Sequence, residues 1–414
     1  MTSSKVQGGN DLLGDGPLSA SSDRAFRESL RRFTRSDTLT ASASLVGFIL
    51  LLTVGFGLWL GPTFLNGSSL LFDVYQSTPE ILIALGVVVC MAAGQFDLSV
   101  GAMATLGCFL AIGLHSNQGL PEGLAIAIAV AAGVVGGSLN AFLVVRLGVN
   151  AFIATLGTSG IIDGVGYVYS GGQLVTSGSG AHALPTWFTG ITAYSSFHEV
   201  VPRFGAIILI AVLLASMVTS IWEFTLVHAM RSRHKIQVLV ATAAFIVFVF
   251  VGAIVTHIWT EISWQVGLLL VLAELIWFFM KYVPTGRRIY AIGSNATAAR
   301  LANIHVRRLT WLSFCVSGAF AALAGVLIAA DQGSAIPGIG DGYLLPAYAA
   351  VFLSTVLISH GRFHVWGTVG GGLILVFVAE GLLEGGVPFT WNDFINGAVL
   401  VLAVALSTVL RRQQ

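Results

Sequence analysis

Along most of this chain apolar residues run in blocks of about 20, the length that carries an α-helix across a bilayer. The blocks predict spanning helices over roughly 43–61, 74–93, 97–115, 122–145, 151–170, 204–223, 236–256, 263–282, 309–330, 343–359, 364–384 and 391–410. Glycines and polar residues interrupt the second, third and fifth. The pattern predicts an all-α fold, a polytopic membrane helical bundle of about 12 spans, 10–12 with the interrupted ones merged or kept.

The charges between the blocks give an orientation. Cytosolic loops of membrane proteins carry the Lys and Arg excess. With the N-terminus inside and the spans alternating, only Arg203 of the 20 Lys and Arg residues falls outside. Both termini are therefore expected in the cytosol. The outer connections collect Glu122, Glu199, Glu261, Asp331, Asp341, Glu384 and Asp393 instead. The longest of them, residues 171–202, predicts a surface loop with an interfacial helix carrying Trp187, Phe188 and Tyr194, or else a binding loop.

Residues 1–40 form a polar stretch ending in Arg24, Arg27, Arg31, Arg32 and Arg35. They contain no short apolar core followed by a cleavage site, so a disordered cytosolic tail is expected rather than a signal peptide. Residues 41–410 form the transmembrane domain, with a basic cytosolic loop at 284–308. Composition agrees: 56% of residues are hydrophobic and 9% charged, against about 25% charged in a soluble domain. A net charge of +1 gives no reason to expect a nucleic-acid partner. Cys90, Cys108 and Cys315 lie in apolar runs without metal or disulfide spacing and read as packing residues.

Several chemistries lack their residues. None of the three lysines, Lys5, Lys235 and Lys281, follows a glycine, so there is no P-loop and no ATP site of that kind in this chain. No His-Glu-x-x-His and no nucleophile elbow with partners occurs, which leaves a membrane enzyme unsupported and predicts neither metal nor catalytic residues. Ionisable groups within spans are Glu80, Asp163, Glu274 and Glu380, with Glu223 near an inner end. Such groups read either as hydrogen-bonded helix contacts or as parts of a transport route.

Two polar motifs interrupt the spans. In FDLSVG, 96–101, Asp97 and Ser99 are placed to cap the helix that follows, as a plain N-cap or as a broken span facing a polar pathway. In NAFIATLGT, 150–158, Asn150 is a good N-cap, and Thr155, Thr158 and Ser159 put hydroxyls on an apolar face. The glycines of GVVGGSLN, 133–140, and GTVGGGLI, 367–374, read as helix-packing surfaces. A weak internal echo links GQFDLSVG, 94–101, to GRFHVWG, 361–367, each at a predicted cytosolic turn before a Gly-rich span.

The loop GRRIYAIGSNATAARLANIHVRR, 286–308, is the most informative stretch. Pro284 and Gly286 are expected to end the preceding span, and Gly293 and Ser294 to make a turn. Asn295 then caps a short alanine-rich helix that Asn303 closes. Two turns do not persist alone in water, so this helix needs a partner. Its face of Ala296, Ala299, Arg300 and Asn303 is placed to enter a partner's groove.

These residues resemble the cytosolic loop of the permease subunits of sugar-type ABC importers, the ribose/xylose branch, in which G-R-x-I-Y-A-x-G-G-N-x-x-A-A-R-L-S-G-I is typical. FDLSVG and NAFIATLGT resemble that family's I-D-L-S-V-G and P-S-F-I-x-T-L-G, in the same order, and the resemblance spans roughly 45–410. The region near 236–256 is similar to the longer xylose-type members. Ser294 stands where the family has glycine, Asn150 where it has proline, and LSTVLISHGRFHVWG, 353–367, with His360 and His364, replaces its glycine-rich turn.

The resemblance implies an inner-membrane permease of a bacterial cell that works as a homodimer or heterodimer. It implies coupling to a separate cytosolic ATPase through Arg287, Tyr290, Gly293, Asn295, Ala299, Arg300, Leu301 and Asn303, with ATP and Mg bound by that partner and no cofactor in this chain. An extracytoplasmic binding protein would deliver a monosaccharide or similar neutral solute to a pathway including Asp97, Ser99, Asn150, Thr155 and Thr158. The alternative from the residues is an ion-coupled secondary transporter using Glu80, Asp163 or Glu274.

Overall fold

A computed structural model describes residues 52, 54–61, 67–193, 263–357 and 362–412. The predicted spans 204–223 and 236–256, most of 43–61 and the tail 1–40 lie outside the described residues. So do Tyr194, Glu199, Arg203, Glu223, Arg231, Arg233, Lys235, Glu261 and His360.

The described chain is helical, apart from two short paired strands. Helix α1 (Gly67–Gln76) leads into α2 (Thr78–Ala92), α3 (Val100–Ser116), α4 (Glu122–Ala141) and α5 (Ala151–Ser170). Strand β1 (Val175–Thr176) and α6 (Thr186–Thr192) follow. Then come α7 (Trp264–Tyr282), α8 (Pro284–Ser294), α9 (Ala296–Leu301), α10 (Val306–Gln332), β2 (Ser334–Ala335), α11 (Leu344–Leu357), α12 (Val365–Glu384) and α13 (Asn392–Arg412). Among the described residues five helices are long and apolar enough to cross a membrane: α4 with its π turn to Arg146, α5, α7, α10 and α12. The predicted boundaries of these fall within a few residues of the observed ones. A short helix, α6, does occur where one was expected, with Trp187 exposed but Phe188 buried in the core.

Helix α2 is the centre of the bundle. From Ile81 to Ala92 every residue is buried, the signature of a helix surrounded on all sides. Its 15 residues are short for a span. Pro79 sits in its first turn, and only Ser77 separates it from α1, so the predicted span 74–93 is two helices meeting at a proline. Around α2 pack α10, α11, α12 and α7, and α10 also lies along α3 and α4.

Glycine lets α10 approach so closely. A Cβ on Gly137 would stand 2.2 Å from the Phe314 carbonyl oxygen, and one on Gly318 2.2 Å from that of Gly133. The glycines of 133–140 are packing surfaces, as their pattern predicts.

One connection is not visible in the sequence. Strands β1 and β2 pair antiparallel, Val175 with Ala335 and Thr176 with Ser334, tying the long loop after α5 to the one after α10. Beyond β2 the chain runs along α3: the Gly340 amide donates to Thr105 Oγ1 at 2.9 Å. A Cβ on Gly101 would lie 3.1 Å from the Gly340 carbonyl oxygen. This loop turns into the bundle, and α11 starts from its inner end.

Candidate functional site

The chain between α2 and α3, Ala93–Ser99, is the most polar point of the buried bundle. Helix α2 ends in a Schellman cap: Gly94 takes φ +75°, its amide donates to the Met91 carbonyl at 3.0 Å, and the Gln95 amide to that of Cys90 at 3.1 Å. Helix α3 starts differently from expectation. Ser99 occupies the N-cap position but makes no side-chain cap bond. Its hydroxyl and its amide both donate to Asp97 Oδ1, at 2.6 and 3.2 Å. Asp97 serves as the acceptor because its two-residue offset closes an Asx turn.

That turn gathers four helices. Asn140, near the end of α4, donates through Nδ2 to Asp97 Oδ1 at 3.2 Å and to Ser99 Oγ at 2.7 Å. Thr158 of α5 donates to Asn140 Oδ1. The Asp97 amide donates to the Tyr348 hydroxyl of α11 at 2.9 Å. Asp97, Ser99, Asn140, Thr155 and Thr158 are all fully buried. The Ser317 hydroxyl of α10 also comes up to the Asp97 carboxylate, so a fifth helix borders the network.

Beside this network lies a crevice of about 830 Å³. Gln95, Phe96, Asn150, Phe152, Leu344 and Tyr348 are among the residues that line it. Along α11 it reaches from Phe352 to Leu344, eight residues or about 12 Å of helix. Of the predicted pathway residues only Asn150 lines it. Its side chain also caps α5, accepting from the Phe152 amide at 2.9 Å. Asp97, Ser99, Thr155 and Thr158 stand behind the wall.

Segment 284–308 departs from expectation in three respects. Pro284 does not simply end a span: it takes the first-turn position of α8, where its missing N–H costs nothing. Gly293 and Ser294 are not a turn but the last residues of α8, with Ser294 Oγ donating back to the Tyr290 carbonyl at 3.0 Å. Ala299 faces inward, 4% exposed. Gly286, Ile289 and Ile292, spaced three apart, form the buried stripe of α8. Burial pushes the Tyr290 phenol up to about 12.

Helix α9 matches its reading closely. Asn295 Oδ1 accepts from the Ala298 amide at 2.9 Å. Asn303 is the only non-glycine among the described residues with positive φ, at 58°. It closes a Schellman cap in which the Ile304 amide donates to the Ala299 carbonyl at 3.0 Å. Arg287, Arg300 and Asn303 are exposed, and Leu301 is 86% exposed at the tip. Gly293 touches the α2 end directly: a Cβ there would stand 2.1 Å from the Ala92 carbonyl oxygen.

Residues 69–404 match the family described as the branched-chain amino acid transport system / permease component. The chain belongs to this permease family. Over 372 residues the permease is 26% identical to the autoinducer 2 import system permease protein LsrD of Salmonella typhimurium (strain LT2), covering 90% of this chain and 92% of the relative. It is 29% identical over 335 residues to the xylose transport system permease protein XylH of Haemophilus influenzae, covering 79% and 85%. It is 27% identical over 377 residues to the autoinducer 2 import system permease protein LsrC of Enterobacter sp. (strain 638), covering 91% and 89%. No solved structure matches. The resemblance read from 286–308 to importer permeases is borne out by these relatives, which are transport permease subunits.

Asn140, Phe96 and Tyr348 of this permease escape a reading confined to ionisable groups and helix caps. Asn140 carried a visible signal, an amide at the end of an apolar glycine-rich span. Tyr348 carried less, a lone phenol in an apolar run, and only the fold shows that it faces Asp97.

Proposed function

We propose that this chain is the membrane-spanning permease of an ATP-driven importer for a neutral, sugar-like solute, lodged in a bacterial inner membrane. One observation carries the reading beyond family membership. A short, capped, outward-pointing helix, α9, is joined through α8 and Gly293 to the end of the central helix, and that helix opens into the polar joint beside the crevice. Exposed Arg300, Leu301 and Asn303 form the docking tip for a separate ATPase subunit, which holds ATP and Mg. Arg287, Tyr290, Gly293, Asn295 and Ala299 support that tip. Relatives named for xylose and autoinducer 2 import support the solute class. A second permease subunit, identical or paralogous, and an extracytoplasmic binding protein complete the assembly. The charge asymmetry supports about 12 spans with both termini in the cytosol, a tail over 1–40 and a transmembrane domain over 41–410.

Ion coupling has less support. Glu80, Asp163 and Glu274 stand on three different helices, α2, α5 and α7, and among the described residues no group of three or more His, Cys, Asp or Glu side chains is placed to hold a metal ion. The test is uptake of labelled xylose and related neutral sugars by proteoliposomes holding the permease, its cognate ATPase and its binding protein. Uptake that needs ATP and ignores a proton gradient is expected. Uptake driven by the gradient without ATP would contradict the reading.

A further inference from the structure

The mechanical link just described ends on one side chain, and this inference rests on the transport reading. The stretch Gly94–Asp97 is irregular backbone held at both ends. At its start Gly293 of α8 lies against it with no side chain between: a Cβ on Gly293 would stand 2.1 Å from the Ala92 carbonyl oxygen and 3.2 Å from the Gly94 amide nitrogen. At its end the Asp97 amide donates to Tyr348 Oη at 2.9 Å, and Thr155 Oγ1 lies 3.5 Å from the Phe96 carbonyl oxygen. Between these anchors Phe96 projects onto the crevice, 40% exposed. Its ring stacks on that of Tyr348, with centroids 6.3 Å apart and planes 9° apart.

An exposed phenylalanine on a lipid-facing helix needs no explanation, but Phe96 differs from one in two respects. It lies on the non-helical backbone between α2 and α3, packed against α8 at one end and α11 at the other. Its cavity has a mostly apolar lining in which Gln95, Asn150 and Tyr348 are the polar side chains. A displacement of α8 reaches it through backbone contact, two residues after Gly94, a glycine that takes a left-handed φ at little steric cost. Hinge positions of this kind absorb the dihedral change in gated proteins.

We propose that Phe96 is the gate of the translocation pathway, parked on Tyr348 in the present arrangement and swung across the crevice when the ATPase moves α8 through Gly293. Tyr348 is its positioning residue. The gate acts by steric exclusion, so it needs bulk rather than polarity.

The experiment uses the permease–ATPase–binding protein complex in proteoliposomes. Phe96→Ala is expected to raise passive efflux of preloaded solute roughly tenfold while ATP hydrolysis persists, and Phe96→Trp to restore retention. Independently, thiol labelling of Phe96→Cys, in a background with Cys315 replaced by serine, is expected to change roughly tenfold between nucleotide-free and vanadate-trapped complex. Adding Gly293→Ala should abolish that change. Uptake by the unmodified complex together with nucleotide-independent labelling and unchanged efflux would overturn the gate alone. Absence of any ATP-driven uptake by the unmodified complex would overturn the transport reading, and the gate with it.

Discussion

The turn from α2 to α3 and the turn from α11 to α12 read alike, GQFDLSVG against GRFHVWG, yet they are tied into the bundle differently. In the first, a carboxylate accepts from Ser99 and Asn140, Asn140 accepts from Thr158, and the backbone reaches Tyr348, so α3, α4, α5 and α11 meet in one network. In the second, His364 Nδ1 accepts from the Gly367 amide at 3.1 Å. Its own amide donates to Ser354 Oγ at 3.4 Å, and its carbonyl accepts from Thr368 Oγ1 at 3.0 Å. All those partners belong to α11 and α12. Each turn has an aromatic contact with α11, Phe96 stacked on Tyr348 and Phe363 edge-on to Phe352 at 6.0 Å. The first turn ties four helices together through one hydrogen-bonded network, whereas the hydrogen bonds of His364 stay between α11 and α12. Among the described residues, Gly293 of α8 lies against the first turn.

That contrast sets an order of effects. Asp97→Ala should be the most damaging change. It orphans buried donors on Ser99 and Asn140, each costing about 1–3 kcal/mol, so a loss of about 3 kcal/mol or more is expected in thermal unfolding of the detergent-purified protein. Asp97→Asn, which keeps an acceptor at Oδ1, should retain most of the stability. A loss for Asp97→Ala no larger than for His364→Ala would erase the distinction between the turns.

The second turn supplies a pH signature through its histidine. Burial, and then the charge of Lys281, lowers His364 from its usual 6.5 to about 4. A histidine held neutral in the fold takes up its proton more readily when unfolded. Its contribution is therefore complete above about pH 6.5 and is lost as pH falls toward 4. At pH 5 this amounts to about 2 kcal/mol. His364→Asn, a cap that does not titrate, should remove that part of the pH dependence when melting is compared between pH 7.5 and pH 5. Identical pH profiles for the two proteins would contradict the assignment. At neutral pH the effect shrinks to the cap itself, and His364→Ala should cost only about 1 kcal/mol.

The smallest effect is one of additivity. Asn140→Ala and Tyr348→Phe share Asp97, so their losses should couple by about 0.5 kcal/mol or more. The changes Tyr348→Phe and His364→Ala share no partner, and their losses should add.

Legibility in the sequence followed the same contrast. Spans such as Trp264–Tyr282 and Val365–Glu384 were readable because each is one long, mostly apolar block. The caps at Asn150, Asn295 and Asn303 were readable because a cap bonds to backbone only a few residues away. The Asp97 junction was not, since Asn140, Thr158 and Tyr348 lie far from Asp97 in the chain and meet it only after packing. Helix α8 was missed because Pro284 stops one helix and starts another equally well. The strand pair after α5 and α10 is two residues on each side, too short for any periodicity to announce it.

The central claim is that force enters this permease through α9 and reaches the Asp97 joint by way of Gly293. Its most direct test is ATP-driven solute uptake by the reconstituted complex carrying Leu301→Asp, a change at a tip that packs on nothing in the described chain and so should leave folding intact. The account predicts that the variant inserts and melts like the unmodified permease but loses ATPase association and uptake together. Normal uptake with the ATPase still bound to the Leu301→Asp permease would contradict it.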